Sequence, residues 1–128
     1  MNNKSNTTEK GKYGEELAIK YLIEQSYEIL ERNYTIRGGE IDIIARNGDE
    51  LAFIEVKFRT QGTEDDAVLS ITKAKQKRIS KAALLYLATH DETFSYYSRF
   101  DTIIIIQEKE NHYQLNHYKN AFESIVDF

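Results

Sequence analysis

Asp42, Glu55 and Lys57 have residue types and a spacing that could support metal-assisted chemistry. They lie in GGEIDIIARNGDELAFIEVKFRT, Gly38 to Thr60, which otherwise reads as two apolar strands around a polar turn. The strands are expected at about Glu40–Arg46 and Leu51–Arg59, and Asn-Gly between them is a hairpin signal. Charges inside buried strands are costly, so these strands either have a wet face or carry charges with a function. A loop over Asn47–Glu50 sets Arg46 against Leu51 and Asp42 opposite Glu55. A loop of Asn47–Gly48 makes the two acids diagonal neighbours. Side chains alternate with period two, so both registers keep Asp42, Glu55 and Lys57 on one face.

Two carboxylates facing each other across a ladder repel. A divalent cation between them reverses the sign, and hard oxygen ligands suit Mg²⁺ or Mn²⁺. The main-chain carbonyl of Val56 is available as a further oxygen. Lys57 could hold or deprotonate an attacking water, or offset charge growing on a phosphate. The chemistry implied is phosphodiester hydrolysis. The plainer alternative is a solvated sheet face, because Glu-x-Lys is common on strands.

More polar groups bear on that choice. In a helix expected over about Lys12–Gln25, Tyr13, Leu17, Ala18, Tyr21 and Leu22 form the apolar face and Glu16, Lys20 and Glu24 the solvent face. Glu15 falls on or beside the buried face. A second helix, about Ile71–Thr89, buries Ile79, Ala82, Ala83, Tyr86 and Leu87. Extending that stripe toward the N-terminus reaches Lys75 and Gln76, which should point to the sheet and could touch a phosphate. On its outer side Lys73, Lys77 and Lys81 form a basic stripe, either a phosphate-tracking surface or an ordinary soluble face. Arg59 is a further candidate backbone contact. Glu40 is expected to pair with Lys57. His90, His112 and His117 show no metal-ligand grouping, and Asp101 reads as a structural ion-pair partner of nearby Arg99.

The elements follow the order α-β-β-β-α-β-β, an α/β chain. A first strand covers about Tyr27–Tyr34. The run RFDTIIIIQ should be a central strand buried on both faces, and HYQLNHY its neighbour. Asn120 and Glu123 have the spacing of a capping box, which predicts a C-terminal helical turn. Residues 1–10 read as a polar, poorly ordered tail and 11–128 as one domain. TQGTEDDAV reads as a loop, either mobile over the site or a plain connection.

The chain has 128 residues, with 41% hydrophobic and 30% charged, and no cysteine. That suits one globular domain and excludes disulfides and thiolate metal sites. No apolar run approaches the roughly 20 residues of a membrane helix, and the N-terminus lacks a signal-peptide core. A cytoplasmic protein is expected. Net charge is −4, which taken alone argues mildly against nucleic acid. Locally the balance reverses: from Lys57 to Lys81 the bases Lys57, Arg59, Lys73, Lys75, Lys77, Arg78 and Lys81 outnumber Glu64, Asp65 and Asp66.

Asp42 followed by Glu55-Val56-Lys57 resembles the D…(D/E)-x-K signature of the restriction-endonuclease-like nuclease superfamily. More closely, the chain resembles the YraN-like family of small bacterial proteins (uncharacterised protein family 0102). The pieces that carry the likeness are GKYGEELAIKYL, ILERNYTIRGGEIDIIA, FIEVKFR, KAKQKRISKAALLYL and RFDTIIII. The resemblance implies a restriction-endonuclease-like core, a mixed central sheet flanked by helices, similar to archaeal Holliday-junction resolvases. It implies DNA as ligand, a Mg²⁺-dependent nuclease site, and a homodimer by analogy with the resolvases. Asp42 and Glu55 would bind metal, Lys57 would serve the attacking water, and Glu15 would assist the metal or position the site. The expected function is an endonuclease on structured or branched DNA. The alternatives are a nucleic-acid-binding module of the same fold that does not cut, or a protein-interaction domain.

Overall fold

The structure is a computed structural model that describes residues 3–60 and 71–125. A helix α1 (Asn3–Glu24) leads into β1 (Glu28–Ile36), β2 (Gly39–Asn47) and β3 (Glu50–Thr60). Helix α2 (Lys73–Thr89) and a short 3-10 turn (Asp91–Ser95) then precede β4 (Tyr97–Lys109) and β5 (His112–Phe122). The strands form one sheet in the order β1-β2-β3-β4-β5. Neighbours are antiparallel except β3 and β4, which are parallel because α2 carries the chain back between them. This is the mixed sheet with flanking helices that the sequence leads one to expect. Among the described residues no helix is long and apolar enough to cross a membrane.

The helices cover opposite faces, and strand alternation divides the core between them. Ala18 and Leu22 of α1 pack with Ile43, Ala45, Ala52, Ile54, Ile103 and Ile105. Ile79, Ala82, Ala83 and Tyr86 of α2 pack with Ile44, Leu51, Phe53 and Phe100. Two glycines let the helices come close. Gly14 of α1 lies against the Phe58 ring, where a Cβ would sit 3.1 Å from Cδ2. A Cβ on Gly39 of β2 would collide with the Arg78 carbonyl of α2.

Several expectations need correction. Helix α1 starts at Asn3, so residues 3–10 of the expected tail are helical. Once nucleated by the packed part, a helix adds one hydrogen bond per residue and can run through polar sequence. Met1 and Asn2 lie outside the described residues, as does most of TQGTEDDAV. The isoleucines Ile103–Ile106 are all buried, but the middle strand is β3, and β4 lies between it and β5. Asn120 caps no helix. It belongs to β5 at φ 55°, where β5 bulges opposite Asp101. Asn tolerates this left-handed backbone, and its amide donates to Asp101 Oδ1 at 3.2 Å.

Asp101 is a buried hub on the α1 side. It accepts from Arg99 Nε at 3.0 and 3.1 Å and lies 2.8 Å from His117 Nε2. Arg99 also pairs with Glu50 at 3.1 Å and donates to the Tyr27 hydroxyl at 2.5 Å. The expected Arg99–Asp101 ion pair is present, within a network that ties β4 to β3, β5 and the start of β1.

Candidate metal and phosphate site

The hairpin places the first acid. Asn47 pairs with Glu50 and Arg46 with Leu51 around a Gly48-Asp49 turn, with Gly48 at φ 63°. The ladder runs to Ile43–Ile54 and stops. The next rung would set Asp42 against Glu55, as the longer loop register requires. Instead the strands part, and the Val56 amide donates to Asp42 Oδ2 at 2.8 Å. The carboxylate takes a hydrogen that the ladder left over.

Across β2 from Asp42 stands Asn33, between the pairs Arg32–Ile43 and Tyr34–Ile41. It has φ 52° and its side chain hydrogen-bonds to Glu15. Glu15 is half-buried at the edge of the α1 face. Burial raises its carboxyl pKa, against the pull of Asn33 and Arg32.

Asp42 is the most perturbed acid described. Burial, then the charge of Glu55, pushes its pKa up from 3.8 to about 7, although the Val56 amide works in the other direction. Glu55 itself is buried and pairs with Lys75 Nζ at 2.5 Å. Burial works against the Lys75 charge, but the bond to Glu55 and that residue's charge raise its pKa overall. Lys57, one strand period from Glu55, is also buried, and burial together with Lys75 lowers its pKa. Glu55, Val56, Lys57, Arg59 and Lys75 line one cleft of about 340 Å³.

The structure therefore brings Asp42, Glu55, Val56, Lys57 and Lys75 together, with Glu15 near enough to feel the charge of Glu55. The Thr72 hydroxyl caps α2 by accepting from the Lys75 amide at 3.1 Å, which fixes the turn that carries Lys75. Gln76 points inward but lines a different hollow, and its amide donates to the Ile71 carbonyl at 3.0 Å. Arg59 donates to the Phe58 carbonyl at 3.0 Å. Lys73, Lys77 and Lys81 are exposed on the outer side of α2. Glu40 is exposed and sits opposite Thr35 in the β1 ladder, and no Glu40–Lys57 ion pair occurs among the described residues. Asn33 and Thr102, the latter paired with Glu55 in the parallel ladder, escaped the sequence reading. Asn33 had a signal in its tolerance of the left-handed backbone. Thr102, before a run of isoleucines, had none.

As a donor set for a cation, the site offers the Asp42 and Glu55 carboxylates and the Val56 carbonyl. No group of three or more His, Asp or Glu side chains is close enough to hold a metal among the described residues. Mg²⁺ is commonly held by one or two carboxylates, with waters and substrate phosphate completing the shell. Burial first, and then the neighbouring Glu55 charge, raise the pKa of Asp42, so a cation beside it would favour its ionised form. The residues fit such an ion.

The fold and this placement define an α/β protein with a mixed five-stranded sheet flanked by helices, with its acids where the middle hairpin opens. Residues 14–105 match the family model described as "Uncharacterised protein family UPF0102". The chain belongs to that family. It is 47% identical over 113 residues to a UPF0102 protein of Geobacter metallireducens, covering 88% of this chain and 91% of that one. A UPF0102 protein of Nitrosomonas europaea is 42% identical over 119 residues, covering 93% and 98%. One from Carboxydothermus hydrogenoformans is 41% identical over 120 residues, covering 92% and 98%.

Proposed function

We propose that the protein is a Mg²⁺- or Mn²⁺-dependent endonuclease that hydrolyses phosphodiester bonds in structured or branched DNA in the cytoplasm. The observation that carries this reading is the crowding at the open end of the hairpin. Asp42 has its pKa pushed up to about 7 beside buried Glu55, and buried Lys57 shares the cleft with Glu55. A structural ion pair needs one acid and one base. Here a second acid, Asp42, is buried beside the Glu55–Lys75 pair at an electrostatic cost, which is how functional sites are commonly recognised.

The bound cation would polarise the scissile phosphate and acidify a water. Asp42 and Glu55 would hold it, with Asp42 aimed by the Val56 amide. Lys57 is buried in the cleft and has no ion pair among the described residues, so its Nζ could position the attacking water or offset charge growing on the phosphate, with the water's proton passing to solvent as its oxygen adds to phosphorus. The bridging P–O bond would then break, and the leaving oxygen would take its proton from solvent water. Lys75 pairs with Glu55, and its Nζ could also meet a phosphate oxygen of bound DNA. Lys73, Lys77 and Lys81 would track the DNA backbone.

A second reading has its own observation. The Glu55–Lys75 ion pair satisfies Glu55 without a metal, as a DNA-binding module that does not cut would require. A cleavage assay with Mg²⁺ or Mn²⁺ on branched, flapped, single-stranded and duplex DNAs separates the two. Cutting that disappears in Lys57→Ala supports the nuclease. Binding that weakens with salt, without any cutting, supports the module.

A further inference from the structure

We propose that the hollow beside the candidate site receives an unpaired nucleobase of the DNA, next to the phosphate that is cut. This deepens the nuclease reading and rests on it, because it names the class of substrate that the same site would select.

The first argument is position. In the parallel ladder Glu55 pairs with Thr102 and Lys57 with Ile104, so these residues share one face of the sheet. Thr102 and Ile104 line a second hollow of about 390 Å³. It starts one strand from the acids, a spacing of about 4.8 Å. On α2, Lys75 lines the cleft at Glu55, while the next residue, Gln76, lines this hollow. A nucleotide with its phosphate at Lys57 and Lys75 has its base one sugar away, and β4 is the neighbouring strand on that face.

The second argument is chemistry. Ile104 and Phe122 supply apolar surface, Tyr118 an exposed ring, and Thr102 and Gln76 polar groups. Flat apolar faces with polar edges are the features of a nucleobase. The volume falls within the range of about 300–1,000 Å³ usual for small-ligand pockets. Among the described residues the lining holds no carboxylate, and Lys119 adds positive charge, which suits a polyanion.

The third is an orphan. Thr102 is 3% exposed, and its Oγ1 is the buried side-chain atom left without a hydrogen-bond partner among the described residues. Buried hydroxyls are normally satisfied, so an unsatisfied one in a residue that lines the hollow leaves a polar demand unmet at its wall. A base stacked inside a duplex cannot enter, so the selected substrate carries an unpaired nucleotide beside the cut.

The test uses 2-aminopurine at the unpaired position next to the branch of a flapped DNA, with a fully paired duplex carrying the same probe. Binding is measured in EDTA, so it does not depend on cutting. The full-length protein is expected to change the probe's emission on the flap and to bind it about tenfold tighter than the duplex, as one base stacked on an aromatic allows. Tyr118→Ala and Thr102→Val should each reduce both effects. Thr102→Val keeps the side-chain shape, so it serves if Tyr118→Ala does not fold. Equal affinity for the two DNAs, or emission unmoved by both substitutions, overturns the proposal. If Mg²⁺-dependent cutting persists in that case, the nuclease reading survives without the pocket. If the probe responds as expected but no metal supports cutting, the pocket stands and the nuclease reading fails.

Discussion

The Val56 amide donates to Asp42 Oδ2 at 2.8 Å, at the point where β2 and β3 stop pairing. A main-chain hydrogen that would otherwise serve the ladder thus holds the Asp42 carboxylate against β3. Because the bond favours the ionised form, it opposes the burial and the Glu55 charge that push Asp42 toward neutrality. Asp42→Asn keeps the size while removing the charge. It should lower Mg²⁺-dependent cleavage by about 10²-fold or more, the scale of losing one electrostatic group at a reacting centre. Single-turnover rates on a flapped DNA provide the measurement, and unchanged cutting removes Asp42 from the site.

Lys57→Ala should abolish cutting to a similar degree while leaving DNA affinity within a few-fold, because the lysine acts mainly on the transition state. Parallel binding and cleavage measurements check this. Activity that survives undiminished points to a contaminant or to another site.

The pKa of Asp42 gives a pH dependence whose sign is opposite to that of an ordinary paired acid. The folded chain keeps a proton that the unfolded chain releases between pH 3.8 and about 7. Stability without metal should therefore fall as pH rises through that window, by at most about 1.4 kcal/mol per pH unit from this group. Burial raises Glu15 as well, which acts in the same sense. Mg²⁺ should raise the melting temperature more at pH 8 than at pH 5. Calorimetry in EDTA and in Mg²⁺ tests both statements, and equal metal shifts at the two pH values contradict them.

Lys75→Ala removes the partner of a buried carboxylate. A fully buried pair would cost about 3–5 kcal/mol. The Lys75 side chain is 38% exposed, so water screens the pair and about 1–2 kcal/mol is expected. Urea unfolding in EDTA measures the loss, and Mg²⁺ should restore part of it by compensating Glu55.

Asp101→Ala should destabilise by about 3–5 kcal/mol, because it leaves buried Arg99 and His117 without their shared acceptor. Denaturation midpoints show the loss. Cleavage per folded molecule, measured at low temperature, should change little, since this hub lies on the other side of the sheet from the Glu55–Lys57 cleft.

Element types were legible in the chain itself. Alternation along a strand and spacing along a helix are local properties, so Glu55 and Lys57 fall on one face whatever the loop, whereas Ile41 and Ile43 pack on opposite sides of the sheet and the alternation breaks at Asp42. The inward direction of Lys75 follows from the stripe of Ile79, Ala82 and Ala83 in the same way. What failed locally were the ends. The start of α1 and the strand conformation of Asn120 depend on packed neighbours and on a bond from Asp101, which no short window of sequence contains.

The sequence by itself determined the family and the α/β order and singled out Asp42 and Glu55 as candidates, because composition, periodicity and motif spacing are carried by the chain. Only the tertiary structure decided that β2 and β3 separate at Asp42, that Lys75 pairs with Glu55, and that Thr102 places an unsatisfied hydroxyl beside them. Those facts arise where a hairpin, a helix start and a parallel strand from distant parts of the chain meet. Burial and charge there depend on all three at once.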